Sequence, residues 1–413
     1  YIAKRLVEFG ARHVFMVTGG GAMFLNYALG RHPRLTPIFH HHEQAGAMAA
    51  EGYARIINKP SVLNVTTGPG SINALNGVYG AYTDSNPMLI LSGQVKRETY
   101  IRTHDLPNLR QLGDQEVDIV SMVRGITKYA VTVTDPNSIR FHLERAWYLA
   151  QSARQGPCWL DIPIDVQSSN VDESQLEGFI SESRLEGDSK LLTEAVARAL
   201  EKIRDAQRPV ILAGTGVRLS NAVEVFNRVV HKLGIPVTTG WTHDIIDSDD
   251  AVFVGRPGTI GTRPGNFAVQ NSDVLLIIGN RLNIRQTGYA FKSFARAAHK
   301  IWVDVDDAEL RRPTIQAEMP IVSDARLFLE EMERQLNDWD ASQFAGWLQW
   351  CKQRQSRYPA VLPKHREFNG RINPYCFVEA LFEQLAPDDA VVTGNATACI
   401  VSFQVGKIKL GQR

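Results

Sequence analysis

From residue 1 to about residue 168, short β-rich apolar runs alternate with stretches of helical periodicity, and no other feature narrows the fold as much. Strands separated by helices pair in parallel, because the intervening helix carries the chain back to the starting edge. The strand runs are HVFMV, TPIFH, SVLNVT, PMLILSG, KYAVTV and PCWLDIP, with helices expected over residues 2 to 10, 21 to 30, 43 to 57, 70 to 83 and 137 to 153. Runs this apolar suit a sheet covered on both faces. Residues 1–168 therefore read as a doubly wound α/β domain.

Residues 169 to 188, SSNVDESQLEGFISESRLEG, are polar and acidic and lack aliphatic periodicity, which predicts an exposed linker. The alternation resumes over 189–340. Helix 191 to 206, strand PVILAG, helix 219 to 233, strands PVTT, DVLLIIG and KIWVDVD, and helix 323 to 336 define a second α/β domain. After the stretch WLQWCKQRQSRYPAV and the loop REFNGRINP, a third unit over 360–413 opens with helix 374 to 385 and the strand DAVVTG. The expected fold is α/β, three doubly wound parallel-sheet domains with the third truncated.

A chain of 413 residues, 44% hydrophobic and 22% charged, can fill two or three such cores. Its 45 basic and 44 acidic side chains leave a formal net charge of +1, so neither nucleic acid nor an anionic membrane is the expected partner. Small-molecule chemistry is favoured instead. Cys158, Cys351, Cys376 and Cys399 are scattered without CxxC spacing, which points to reduced thiols and a cytoplasmic location. No apolar stretch approaches the roughly 18 residues that span a bilayer. The opening segment reads as an amphipathic helix running into a strand, not a signal peptide. The start at Tyr1 and the break after VSFQVGKIKLGQR read as cut ends.

The chemistry-bearing strings lie in the first domain. In HHHEQAGAMAAEGYAR, residues 40 to 55, a helix begins at Glu43, where the positive end of the helix dipole favours an ionised carboxylate. TTGPGSINALNGVYGAYTDSNPMLILSGQ, residues 66 to 94, supplies a Gly-Pro-Gly turn, a helix N-terminus and another buried strand, with Thr67 and Asn73 as hydrogen-bonding groups. Taken singly, Glu43 reads first as an ordinary first-turn acid, and TGPG as a tight strand-to-helix turn. His40, His41 and His42 invite a metal reading, but neighbours along a strand point to opposite faces, so no metal site is expected there. His42 remains a candidate for lining the active site.

In this order, VTGGGAMF, HHEQAGAMAAEGYAR, TTGPGSIN and LSGQV resemble the pyrimidine-binding domain of thiamine diphosphate enzymes of the acetolactate synthase, pyruvate oxidase and benzoylformate decarboxylase family. The resemblance extends over the whole chain. It implies that Glu43 hydrogen-bonds N1′ of the coenzyme's aminopyrimidine and shifts the ring toward its imino tautomer, whose nitrogen takes the proton from thiazolium C2. It also implies catalytic places for Gly20 and Gln115, and coenzyme contacts from Gly21, Thr67, Gly68, Pro69, Gly70, Asn73 and Gln94. Gly394, Asn395, Ala396 and Thr397 match the turn that touches the diphosphate. The family's Gly-Asp-Gly, which holds Mg²⁺, does not occur in this sequence, so the metal's ligands are expected beyond Arg413.

The AGTGVR loop, with Gly214 and Gly216, follows a strand and opens a helix, as dinucleotide phosphates favour. Residues 258 to 288 and 302 to 310 resemble the flavin-binding parts of acetolactate synthases, which implies an FAD site lined by Gly279, Arg281, Arg285 and Asp304. The alternative is a domain that keeps the fold without the flavin.

The function so implied is decarboxylation of a 2-keto acid, pyruvate, with transfer of the two-carbon unit to a carbonyl acceptor. A homodimer or homotetramer is implied too, since in the family the coenzyme lies between the first domain of one subunit and the third of another. The rivals are a 2-keto acid decarboxylase or oxidase, and a non-catalytic relative that kept the fold. Two departures bear on the acceptor. Acetolactate synthases carry a Phe where GDQEVD has Asp114, and a Lys where DIPIDVQ has Ile164. Near the substrate, these exchanges disfavour a second carboxylate and favour an aldehyde or keto sugar. Alternatively, Asp114 faces solvent and Ile164 packs in the core.

Overall fold

The structure, a computed structural model, describes residues 1–106, 108–181, 189–242, 244–367 and 370–413. It divides into two compact units, Tyr1–Arg184 and Leu185–Arg413.

In the first unit β1 (His13–Met16), β2 (Thr36–Phe39), β3 (Ser61–Val65), β4 (Met88–Gln94), β5 (Tyr129–Thr132) and β6 (Pro157–Pro163) form one sheet in the order β2-β1-β3-β4-β6-β5. Every pairing is parallel. β3, β4 and β6 are buried at every position. The pleat explains why they are apolar throughout. In β4, Leu89 and Leu91 enter one core with Leu29, Leu143 and Trp147, while Met88 and Ile90 enter the other with Ala47, Val78 and Trp159.

The helices of this unit are α1 (Ile2–Glu8), α2 (Met23–Arg31), α3 (Glu43–Ile57), α4 (Pro69–Asn73), α5 (Leu75–Thr83), α6 (Ile119–Val123), α7 (Ile139–Gln151) and α8 (Ile164–Gln167). α3 buries Gly46, Ala47, Ala50 and Ala54, and a Cβ at Gly77 of α5 would lie 2.5 Å from that of Ala47. The small residues thus let two helices approach to backbone contact. Asn58, at φ 52°, ends α3.

The structure corrects the sequence reading at several points. β2 ends at Phe39, so His40–His42 are not strand residues and the alternating-face argument does not apply to them. The expected helix 70 to 83 is two helices, joined at Ala74. The supposed linker is docked over its described part. Leu176 is 3% exposed within the core, Phe179 stacks edge-on to Phe141, and the Phe179 N–H donates to Glu144. Residues 182–188 lie outside the described residues.

The second unit repeats the plan. β7 (Pro209–Ala213), β8 (Val237–Thr239), β9 (Phe253–Gly255), β10 (Val274–Ile278), β11 (His299–Asp304) and β12 (Met319–Val322) pair in the order β12-β11-β10-β7-β8-β9. The edge strands β9 and β12, three and four residues long, are too short to leave a periodic signal in the sequence. The helices are α9 (Ser189–Arg204), α10 (Gly216–Leu219), α11 (Val223–Leu233), α12 (Arg263–Asn271), α13 (Ile284–Thr287), α14 (Asp307–Leu310), α15 (Ala325–Gln335) and α16 (Ala345–Arg357), followed by α17 (Pro374–Gln384) and α18 (Thr397–Val405). The Trp-rich stretch is α16, fastened to the sheet by the Trp347 indole N–H on the Pro209 carbonyl at 3.0 Å.

Residues 360–413 belong to this second unit. The expected strand DAVVTG is not formed, and Val392 is 92% exposed. Its backbone meets Arg413, through Val391 N–H to the Arg413 carbonyl at 2.8 Å. An apolar run needs a sheet edge on which to pair before it becomes a strand. Among the described residues, no helix is long and apolar enough to cross a membrane.

Candidate active site

In the first unit the chain runs from β1 outward to β2, then returns to lay β3 on the other side of β1. The carboxyl ends of β1 and β3 flank the switch point where open α/β sheets form their crevice. Gly19–Gly21 leave β1 there, and the turn Thr66–Gly70 leaves β3.

Glu43 is brought in by β2 and stands first in α3, with His42 as N-cap accepting the Gln44 N–H on its Nδ1 at 3.1 Å. The Glu43 side chain is only 9% exposed, and its Oε2 accepts a hydrogen bond from Asn73 Nδ2 at 3.0 Å. The side chain thus stands at the N-terminal end of α3 with an amide donor on it.

The glycines beside it are spatial necessities. A Cβ at Gly70 would lie 2.7 Å from Thr66 Cγ2 and 3.1 Å from Glu43 Oε1. At Gly19 it would lie 2.5 Å from Thr66 Cβ, and at Gly21 2.8 Å from Thr67 Cγ2. Gly20 differs, since a Cβ there would meet nothing within 4 Å. Within the GGG string, two glycines serve packing, and the third borders open space where a ligand can come close to the backbone. Pro69 begins α4, and Gly68 precedes it at φ 58° and ψ −119°. A side chain at Gly68 would collide with the carbonyl of Gln115.

That collision shows that the loop carrying Asp114 and Gln115 rests on the Gly68 turn. Gln115 itself holds φ 58°, and both it and Asp114 are exposed. The loop is organised from within by Glu116, which is 9% exposed and accepts the N–H groups of Leu112 at 3.0 Å, Gly113 at 2.9 Å and Ile101. Ile164 is half-buried at the first position of α8, directly after β6. Asp114 is thus on the surface, as the alternative sequence reading has it, but on a loop that touches the turn beside Glu43.

Sequence reasoning missed Glu116, and it also missed Asp161, which is fully buried in β6. Its carboxylate accepts Ser92 Oγ–H at 2.6 Å, Gln94 Nε2–H at 3.0 Å and Thr132 Oγ1–H at 3.3 Å. Burial pushes its pKa up to about 7, against the lowering effect of those donors. Gln94 Oε1 in turn accepts the Thr67 hydroxyl at 3.0 Å. The available signal was a lone acid in the otherwise apolar run PCWLDIP, since buried acids come with partners. Among the described residues, no group of three or more His, Cys, Asp or Glu could hold a metal ion.

The second unit's expected flavin residues lie at the matching switch point, between β7 and β10. Here glycine packs on glycine. A Cβ at Gly216 would lie 2.6 Å from Gly279 Cα, and the N–H groups of Gly214 and Gly216 donate to the carbonyls of Ile278 and Gly279, each at 2.9 Å. Those N–H groups are spent within the protein, so the loop does not fit the expected phosphate cradle. Arg281 is half-buried and Arg285 exposed. Asp304 ends β11, with its Oδ1 accepting the Asp306 N–H at 3.0 Å. Gly394, Asn395 and Ala396 form an exposed turn that leads into Thr397, the exposed first residue of α18, with Ala396 at φ 63°.

Comparison with known families accords with this geometry. The chain belongs to the thiamine pyrophosphate enzymes: residues 1–122 match the family's N-terminal TPP binding domain and residues 196–332 its central domain. Within that family, it is 36% identical to a probable acetolactate synthase large subunit of Methanococcus aeolicus over 322 residues, 77% of this chain and 52% of the relative. It is 32% identical over 408 residues to a probable chloroplastic acetolactate synthase 2 of Oryza sativa subsp. japonica, covering 95% of this chain and 58% of that protein. The acetolactate synthase large subunit of Parasynechococcus marenigrum (strain WH8102) is 33% identical over 355 residues, 85% of this chain and 55% of its own length. The chain thus spans little more than half the length of these relatives.

Proposed function

We propose that this protein is a thiamine diphosphate-dependent carboligase that removes CO₂ from a 2-keto acid, pyruvate, and joins the remaining two-carbon unit to the carbonyl carbon of an acceptor. The observation that carries this reading is the buried Glu43 carboxylate, held by Asn73 at the start of α3 beside a glycine turn with no room for side chains. These residues fit an aminopyrimidine: one carboxylate to bond a ring nitrogen, and bare backbone at Gly20 for close approach. When bound, the coenzyme supplies the nucleophilic carbon and the electron sink that decarboxylation needs. Glu43 holds a proton at the ring nitrogen, Thr67 and Gly68 shape the seat, and the Gln115 loop covers it from the Gly68 side.

The names of the relatives point to a keto-acid acceptor. Asp114, exposed on the loop that touches Gly68, supports a different one: a neutral or hydroxylated carbonyl compound, an aldehyde or keto sugar, whose hydroxyl groups can donate to its carboxylate. Steady-state rates with pyruvate alone, compared with pyruvate plus such acceptors, test this. Acetolactate formed from pyruvate alone at the highest kcat/KM, unimproved by Asp114→Phe, returns the acceptor to a second pyruvate.

The proposal includes a homodimer or homotetramer. It is supported by exposed apolar side chains at Met23, Phe24 and Tyr27 of α2, Phe39 at the end of β2, and Tyr79 and Tyr82 of α5. It includes FAD in the second unit, held through Arg281, Arg285 and Asp304 and not by the glycine loop. Mg²⁺ accompanies the coenzyme diphosphate in this reading, and none of the described residues is assigned to it. The free cysteines Cys158, Cys351, Cys376 and Cys399 suit the reducing cytoplasm in which we place the protein.

A further inference from the structure

The Asp161 network lies below the crevice and is not needed to explain the sheet, since an apolar residue would fill the same place in β6 at no electrostatic cost. Its arrangement shows what it does. The Gln94 side chain uses both ends of its amide. Nε2 donates to Asp161 Oδ2 at 3.0 Å and to the Val117 carbonyl at 2.9 Å, while Oε1 accepts the Thr67 hydroxyl and the Val95 N–H, each at 3.0 Å. Thr67 belongs to the glycine turn beside Glu43. Val117 lies two residues beyond Gln115, on the loop that rests on Gly68. One side chain therefore joins the two segments that frame the crevice. An amide can be turned by 180° at almost no intrinsic cost, exchanging its donor and acceptor ends. Turned that way, Gln94 would present NH₂ to Thr67 and Val95 and its carbonyl to Val117 and Asp161. The Val95 N–H, the Val117 carbonyl and the Asp161 oxygen that accepts from Nε2 all oppose this. Asp161 is itself fixed by Ser92, whose hydroxyl is held by the Trp159 indole N–H at 2.7 Å, and by Thr132.

We propose that Asp161 is a positioning residue: with the Val95 N–H and the Val117 carbonyl it sets the orientation of the Gln94 amide, and through it holds the Thr67 turn and the Gln115 loop in one register for the coenzyme. The coenzyme half of this statement rests on the function proposed above. The tie between the two segments does not.

The test uses the intact protein and two readouts, thiamine diphosphate affinity by calorimetry and amide hydrogen exchange over Gln115–Val117 without coenzyme. Removing the acceptor with Asp161→Ala, or the tie with Gln94→Met, is expected to weaken the coenzyme about tenfold and to speed loop exchange by a similar factor, the scale of one buried hydrogen-bonding group left unmatched. The double variant should be within about twofold of the worse single, because both act on one linkage. Asp161→Asn keeps a carbonyl facing Gln94 and an NH₂ facing the Ser92 oxygen, so it should stay near wild type in both readouts. Additive effects in the double variant overturn the tie, as does an Asn variant as impaired as the Ala variant. If Asp161→Ala does not fold, Gln94→Met and Asp161→Asn decide alone, and unchanged loop exchange in Gln94→Met refutes the proposal. A wild-type protein that binds no thiamine diphosphate sinks the site reading and the coenzyme half of this one, while loop exchange still judges the tie.

Discussion

The two sheets share one winding, and their switch points are furnished in opposite ways. Between β1 and β3, Thr66 and Thr67 project against Gly19 and Gly21, Glu43 comes in from α3, and a polar chain runs through Gln94 to Asp161. Between β7 and β10, Gly214 and Gly216 interlock with Gly279, and the buried Asn280 fills the remaining space, accepting the Trp302 indole N–H on its carbonyl at 2.9 Å. The same topology thus makes a chemically armed crevice in one unit and a sealed turn in the other. Strand order supplies a place for a ligand. Side chains decide whether it is used.

The contrast breaks first at Glu43. In the intact protein, Glu43→Gln should lower turnover at least about a hundredfold, the scale of a lost proton-transfer partner, while the melting temperature holds. Near wild-type turnover in steady-state assays would leave the two switch points functionally alike.

Glycine substitutions sharpen the comparison. Gly279→Ala meets Gly216 Cα at 2.7 Å from a residue at φ 54°, so it should destabilise the second unit by roughly 2 kcal/mol with little change in thiamine diphosphate affinity. Gly70→Ala should do the reverse, because its added carbon displaces Glu43 and Thr66: coenzyme affinity falls and stability changes less. Calorimetric unfolding and coenzyme titration on both variants check the pair. Equal losses of affinity would erase the distinction.

In the first unit a pH dependence should follow Asp161. Asp161 has its folded pKa raised from 3.8 to about 7, so the folded state holds this proton more tightly than the unfolded one. The stability it contributes is fully present below the ordinary carboxylate value and is lost as pH rises through about 7. Melting temperature should therefore fall between about pH 4 and about pH 7, and Asp161→Asn should flatten that slope. A slope unchanged in the variant refutes the assignment.

The smallest expected effect concerns the flavin. If the second unit holds FAD through its arginines, the purified protein is yellow or becomes so with FAD, and Arg281→Ala weakens the flavin by about tenfold, one charge-assisted contact. Absorbance titration reads this, and a protein without FAD affinity would make the sealed turn the whole account of that crevice.

Much of this was legible in the residues alone. Helical spacing and the acidic first turn placed α3 over 43 to 57, and β6 coincides with PCWLDIP. Such elements are written in local periodicity and capping, which any window of a dozen residues contains. The HHEQ and TGPG strings marked Glu43 and its turn because short-range geometry demands those residue types. Only the tertiary structure decided what Gly214 and Gly216 pack against, whether DAVVTG finds a sheet, and that Glu116 builds the loop under Gln115. It alone joined Asp161 to Gln94, 67 positions apart, and Gln94 to Thr67, 27 apart. A buried hydrogen bond depends on which strands become neighbours, and strand order is settled by how whole sheet faces bury against helices, which no local pattern records.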